Sequence, residues 1–327
     1  VINRLESDIN NLQPSRVTFG DNTILVHHKL IFTMIDGKVC NSLSENKSSM
    51  SNYICKATPK EMNDVGKCKQ KDINLKMLTF GLSTLHAWIS FFECLLHISY
   101  KLDVQKSQRS KECAEQIETR KKRIQHDFKE KLGLLVDFPR QEGSGNSNDG
   151  NTARRFFQAA TISAEITGID ITRIKKFHVI LQVISSGRIV DVEKFDVYAT
   201  KTAELFVKKY GWYYMPASLH KILIHGARVI DAAILPIGQL SKEAQEARNK
   251  DIKRYREHNT RKCSRKSGMI DLFNHLLVSS DPVISALRKR QTIYHRELDK
   301  GAIQLLLTEE TSNPKSDTEE NYNFMLT

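Results

Sequence analysis

Two histidines separated by four residues, His220 and His225, are the clearest metal-type pair in the chain. Imidazole nitrogens at that spacing match the histidine half of many zinc sites. On a regular helix five residues turn the chain through about 140°, so the pair is expected to reach one ion only if the helix ends or distorts near Gly226. A zinc site also needs two further donors, usually from a Cys-x2-Cys, and the six cysteines (Cys40, Cys55, Cys68, Cys94, Cys113, Cys263) contain none. Cys55 comes nearest, with Asn52 at the place of its partner. From spacing alone, two unrelated helix histidines are the plainer reading.

A second kind of chemistry follows the histidines. Glu246 sits in a run from Ser241 to Lys262 with helical character and Ser241 as its cap. Residues 246, 249, 250 and 253 share one helix face, which puts Lys250 and Lys253 beside the carboxylate. Nine cationic side chains from Arg248 to Lys266 face only Asp251 and Glu257 in the same stretch. A surface salt bridge is the plainer reading of Glu246, as a hairpin turn is of Asp36-Gly37. A third signal is the PRQEGSGNSNDG loop running into NTARRFF, where Arg154 and Arg155 open a helix after a glycine-rich segment. Free N–H groups at a helix start and nearby arginines suit a phosphate; composition alone favours a capped surface helix.

These groups need elements to hold them. The chain has 327 residues, is 40% apolar and carries a formal charge of +12, enough for a real core and a bias toward polyanionic partners. The scattered cysteines read as reduced thiols. The longest apolar run, Ala87 to Tyr100, is interrupted by Glu93 and His97 and is too short to span a bilayer.

Residues 1–20 read as a short helix and then a loop at Gln13-Pro14-Ser15. TILVHHKLIFTMIDGKV reads as one or two strands with a turn at Asp36-Gly37, and Tyr53-Ile54-Cys55 as a brief strand. From Asn74 to Tyr210 the period is helical: an amphipathic helix on Leu82, Leu85, Ile89, Phe92 and Leu96, and a charged one from Lys111 to Lys131 seamed by Ile117, Ile124 and Phe128. The Arg120–Arg123 cluster reads as a solvated face. Helices at Ile171–Ser185 and Val192–Lys209, an aromatic corner before Pro216, and an Asp281-Pro282 helix start complete the series. The polar tail from Glu309 is expected to be disordered.

Taken in order, LIFTMIDGKV, YICKATPKEMND, GLSTLHAWI, NDGNTARRFF, HKILIH, PIGQLSKEAQEARNKD and LLVSSDP resemble the catalytic region of Transib-type transposases, over about residues 20–290. Their vertebrate relative, the V(D)J recombination-activating protein, is similar, and the arthropod Transib-like branch resembles the chain more closely. The resemblance implies an α+β, mostly helical fold. It comprises a partial RNase H-like sheet (residues 1–60), a large helical insertion (61–236), closing catalytic-core helices (237–308) and a disordered tail (309–327). It further implies an Asp-Asp-Glu site holding two Mg2+ or Mn2+ ions for DNA nicking and strand transfer, in which two cations about 4 Å apart stabilise the attacking and leaving oxygens.

By this likeness Asp36 matches the second aspartate and Glu246 the glutamate. A structural Zn2+ would be held by Cys55, His220 and His225, with Asn52 in place of a first cysteine. DNA contacts would fall on Asn151, Arg154, Arg155, Arg248, Lys250, Lys253 and Arg254. The family's first aspartate lies upstream of the matched region, so the polypeptide as given is expected not to hydrolyse DNA by itself. The implied partners are double-stranded DNA, in the form of transposon terminal inverted repeats, and a second copy of the chain in a homodimer. The implied location is the nucleus, with no membrane. The alternative expectation is a catalytically dead DNA-binding remnant or a domesticated transposon-derived protein.

Overall fold

The computed structural model describes residues 7–27, 37–44, 46, 48, 50–105, 111–139, 146–240, 243–281, 283–284 and 297–307. Within them the chain is mostly helical, with one small antiparallel sheet. Strands β1 (Ser15–Phe19) and β2 (Asn22–Val26) pair from Ser15↔Val26 to Phe19↔Asn22. The two-residue turn between them places Gly20 at φ 56°, in the left-handed region that glycine enters without cost. β1 begins where a loop was expected to continue. Helix α1 (Gly37–Leu43) begins where the strand-and-turn segment was expected to end. Cys40 on it and Ser44 just past its end are both buried, and the Ser44 N–H bonds back to the Cys40 carbonyl at 2.9 Å.

Tyr53–Cys55, expected as a strand, form a turn instead. The Asn52 side-chain oxygen accepts the N–H groups of Ile54 (2.8 Å) and Cys55 (3.3 Å), a local bond that competes with any sheet ladder. Helix α2 (Val65–Gln70) and a 3₁₀ segment (Leu75–Phe80) follow, each capped by a side chain, Asp64 and Asn74 respectively.

Helix α3 (Thr84–Tyr100) is the axis of the body. Its expected stripe includes buried Leu82, Phe92 and Leu96, but Trp88, Phe91, Leu95 and Ile98 are buried as well, so it is surrounded rather than amphipathic. Around it pack α4 (Lys111–Leu132), α5 (Gly150–Gln158), α6 (Ala160–Thr167) and α7 (Ile171–Ser185). Edge-on aromatic pairs lock these helices: Phe91–Phe177 at 4.7 Å and Trp88–Phe157 at 5.7 Å between centroids. The seam of Ile117, Ile124 and Phe128 is buried as expected. In the Arg120–Arg123 cluster Lys122 and Arg123 are exposed, but Arg120 turns inward to the Ser99 and Thr167 carbonyls and Asp103.

Helices α8 (Val192–Tyr210) and α9 (Ala217–Asp231) form an antiparallel pair whose corner at residues 211–216 is the expected aromatic break. Asn63 holds that corner, donating to the carbonyls of Gly211 (3.1 Å) and Tyr213 (3.0 Å) and accepting the Met215 N–H (2.9 Å). One side chain thereby fixes the loop after Cys55 against the start of α9.

The Pro236-Ile237-Gly238 break leads into a 3₁₀ turn (Ile237–Leu240). There Gly238 approaches the end of α7 so closely that a Cβ would lie 2.4 Å from the Gly187 nitrogen. Helices α10 (Glu243–His258) and α11 (Arg265–Ser280) then pack on each other. Asp281 accepts the N–H groups of Val283 and Ile284, the cap expected there, while Pro282 lies outside the described residues. Finally α12 (Lys300–Ile303) and its flanks return to the helical body, where the Leu307 N–H bonds the Ile189 carbonyl at 3.0 Å. Ser241, Pro282 and the tail from Glu309 are expectations that fall outside the described residues.

Candidate functional site

The histidine pair meets at one place. Helix α9 continues through both residues and through Gly226, with no end or break between them, yet the two imidazoles contact edge to face with centroids 5.2 Å apart. The expected need for a distorted helix is therefore corrected. The two side chains leave the helix about 140° apart, and the Asn52–Cys55 turn brings Asn52 against His220 and Cys55 near both rings. Cys55 Sγ and one ring nitrogen from each of His220 and His225 lie within 4.8 Å of one another, and all three residues are buried.

The cluster has the properties of a donor set. His220 Nε2 and His225 Nε2 are buried with no hydrogen-bond partner. Burial, then His225 and Lys71, pushes the His220 imidazole down to about 3. Burial, then Arg228 and Lys69, takes His225 down to about 4. Both rings are therefore neutral near pH 7, the form in which histidine ligates a metal. Burial raises the Cys55 thiol, partly offset by the Ala57 N–H and Lys71. Cys68, the other nearby thiol, is buried and donates to the Glu61 carbonyl at 3.3 Å. Glu61 in turn accepts from Lys71 at 2.8 Å and from Thr58, tightening the loop that carries Cys55.

The fourth position is where zinc and this donor set part company. Structural zinc is closed by four protein ligands, and the side chain that meets His220 beside the three donors is Asn52, which is 2% exposed. Its Oδ1 is used by the two turn N–H groups, and its Nδ2 faces His220 Nδ1 at 3.2 Å. A carboxamide nitrogen has no lone pair to give a metal. Three of the four donors fit zinc; the set as a whole does not fit a closed structural site.

The implied catalytic carboxylates are less defined. Asp36 lies outside the described residues. Glu246 lies on α10, and only its backbone is described. What surrounds it is basic. Lys250 is exposed; Lys253 and Arg254 are exposed and make loose ion pairs of 3.9 Å to Glu257 and 3.6 Å to Asp251. Arg248 behaves differently. Its guanidinium turns toward α11, bonding the Leu276 carbonyl and the hydroxyls of Ser279 and Ser280, so it ties the two helices together.

An open groove of about 970 Å3 runs between α10 and α11, with Lys253, Arg256, Lys262 and Arg265 among its lining residues. Arg261 on its wall is held by Asp271 in a two-pronged pair at 2.9 and 3.0 Å.

At the start of α5 the structure answers the phosphate expectation with a carboxylate. Asp149 caps the helix, its Oδ1 accepting the Thr152 N–H at 2.8 Å, so the first turn already carries an anion. Arg154 lies over the Trp88 ring at 5.6 Å, Arg155 bonds the Leu132 carbonyl at the end of α4, and Asn151 is exposed. The capped-helix reading accounts for this segment.

Sequence reasoning missed Glu61 and Lys71, which stand beside Cys55 in the cluster, and Asn63, which clamps the loop after Cys55 to the 211–216 corner. The YICKATPKEMND motif contains Glu61 and Asn63, but its Asn-Asp pair at residues 63–64 speaks locally only of a turn. No protein-family model matches the chain, and no curated protein matches it.

Proposed function

We propose that the chain is a DNA-handling protein of the Transib-type transposase and recombinase class, acting on double-stranded DNA at transposon-like terminal repeats. The observation that carries this reading is the composition of α10. One helix bears Glu246, the residue that resembles the family's glutamate, and continues into Lys250, Lys253 and Arg254, three exposed cations beside a groove edged by further arginines and lysines. Duplex DNA is the polyanion that such a face suits.

In this proposal Asp36 and Glu246 supply carboxylates to a two-metal site for Mg2+ or Mn2+ in a partial RNase H-like unit. The protein works as a homodimer on paired DNA ends, in the nucleus. Among the described residues no helix is long and apolar enough to cross a membrane. Arg248, Arg154 and Arg155 are left out of the DNA face because their guanidinium groups reach across to other helices, whereas the loose pairs of Arg254, to Asp251 and the Tyr255 ring, stay within its own exposed helix. Binding of purified protein to duplex DNA tests the reading: affinity that falls steeply with salt supports it, and no binding at low salt removes it.

A second reading, a DNA-binding remnant without catalysis, is favoured by Asn52, which stands where the likeness implies a cysteine ligand. Nicking of duplex DNA in Mg2+ or Mn2+ that Glu246→Ala abolishes would exclude the remnant. DNA binding with no such nicking supports it.

A further inference from the structure

We infer that Asn52 works against a metal in the Cys55–His220–His225 cluster, by fixing His220 in the tautomer that carries its hydrogen on Nε2 and so cannot ligate through it. The argument begins with the amide. Asn52 Oδ1 accepts two backbone N–H groups, from Ile54 and Cys55, so the oxygen end of the side chain is committed to its own turn. The end facing His220 Nδ1 at 3.2 Å is therefore the NH2 group, a donor only. A donor there requires a lone pair on Nδ1, and a neutral imidazole with its lone pair on Nδ1 carries its hydrogen on Nε2.

That assignment works against coordination by either nitrogen. A metal at Nε2 needs the hydrogen moved to Nδ1, where it would meet the hydrogens of the amide. A metal at Nδ1 would have to displace the amide itself. Turning the amide to present its oxygen would leave the buried Ile54 and Cys55 N–H groups facing an NH2, so the turn resists the change. A thiolate at position 52 has none of these conflicts: sulfur can accept both N–H groups and still bind a cation, and it presents no hydrogen to His220. A carboxylate sits between the two, keeping the oxygen for the turn and offering His220 Nδ1–H an acceptor, which frees Nε2.

This inference rests on the geometry of four buried side chains and not on the DNA reading, and its outcomes do not bear on DNA affinity. The test is zinc affinity of the full chain by chelator competition for wild type, Asn52→Cys and Asn52→Asp, together with nitrogen NMR of the wild-type imidazoles. The expected order is Asn52→Cys tightest, by about 100-fold or more over wild type, with Asn52→Asp between them. The expected wild-type spectrum has His220 protonated at Nε2. Wild-type protein that binds one zinc as tightly as Asn52→Cys, or a His220 ring protonated at Nδ1 in the metal-free protein, would overturn the inference. The NMR measurement decides the matter even if a variant fails to fold.

Discussion

Asn52 Nδ2 and His220 Nδ1 lie 3.2 Å apart in the interior, joining two residues separated by 168 positions in the chain. The contact closes the loop of residues 50–71 onto α9, and with the Asn63 clamp at the α8–α9 corner it makes that loop part of the helical body.

Removing the contact is costly on this account. Asn52→Ala leaves the Ile54 and Cys55 N–H groups and His220 Nδ1 buried without partners, and each such group costs about 1–3 kcal/mol. With three such groups the variant should lose at least about 3 kcal/mol in chemical denaturation, with an unchanged m-value. A loss below about 1 kcal/mol would mean the turn stands without its side chain.

Gly238→Ala should be as damaging for a steric reason. Its Cβ would lie 2.4 Å from the Gly187 nitrogen and 2.8 Å from the Ser185 carbonyl, both backbone atoms that cannot step aside cheaply. A loss of about 1–3 kcal/mol in the same measurement is expected.

Arg248→Ala should act on one part of the molecule. Its bonds to Leu276, Ser279 and Ser280 tie α11 to α10, so hydrogen exchange of α10 and α11 amides should accelerate while α3 and α9 stay protected. Lys250→Ala, on the exposed face, should leave exchange unchanged throughout.

Acid should loosen the loop beside the cluster through Glu61. Lys71 and then Thr58 hold its carboxyl down at about 2 from an ordinary 4.5. A depressed carboxylate contributes stability that is present above the unfolded value and is lost as pH falls through the folded one. The stability difference between wild type and Glu61→Gln should be constant above about pH 5 and should shrink as pH falls through the window from 4.5 to 2.

The helical body was legible because its signals are local. Asp170 and Asp191 cap the helices that begin at Ile171 and Val192, and the seam of Ile117, Ile124 and Phe128 follows its period into the core. The Tyr53–Cys55 turn was misread because β-branched and aromatic residues suggest a strand, while the bond that decides the matter comes from the side chain of Asn52. The meeting of His220 and His225 was not legible from their spacing. Helix geometry sends them apart, and only the loop packed over α9 gives them a common neighbour. Arg248 reads as one cation among nine, and nothing in its local sequence says that its guanidinium faces α11.

The central claim, that α10 presents a DNA-binding face, is tested most directly by the salt dependence of duplex affinity. With about five phosphate contacts, log K should fall with log[salt] at a slope near −4 to −5. The triple substitution Lys250→Ala, Lys253→Ala, Arg254→Ala should make that slope shallower by about 2.7, at about 0.9 for each lost contact. A flat salt response in the wild type, or a slope the triple variant leaves untouched, would contradict the account.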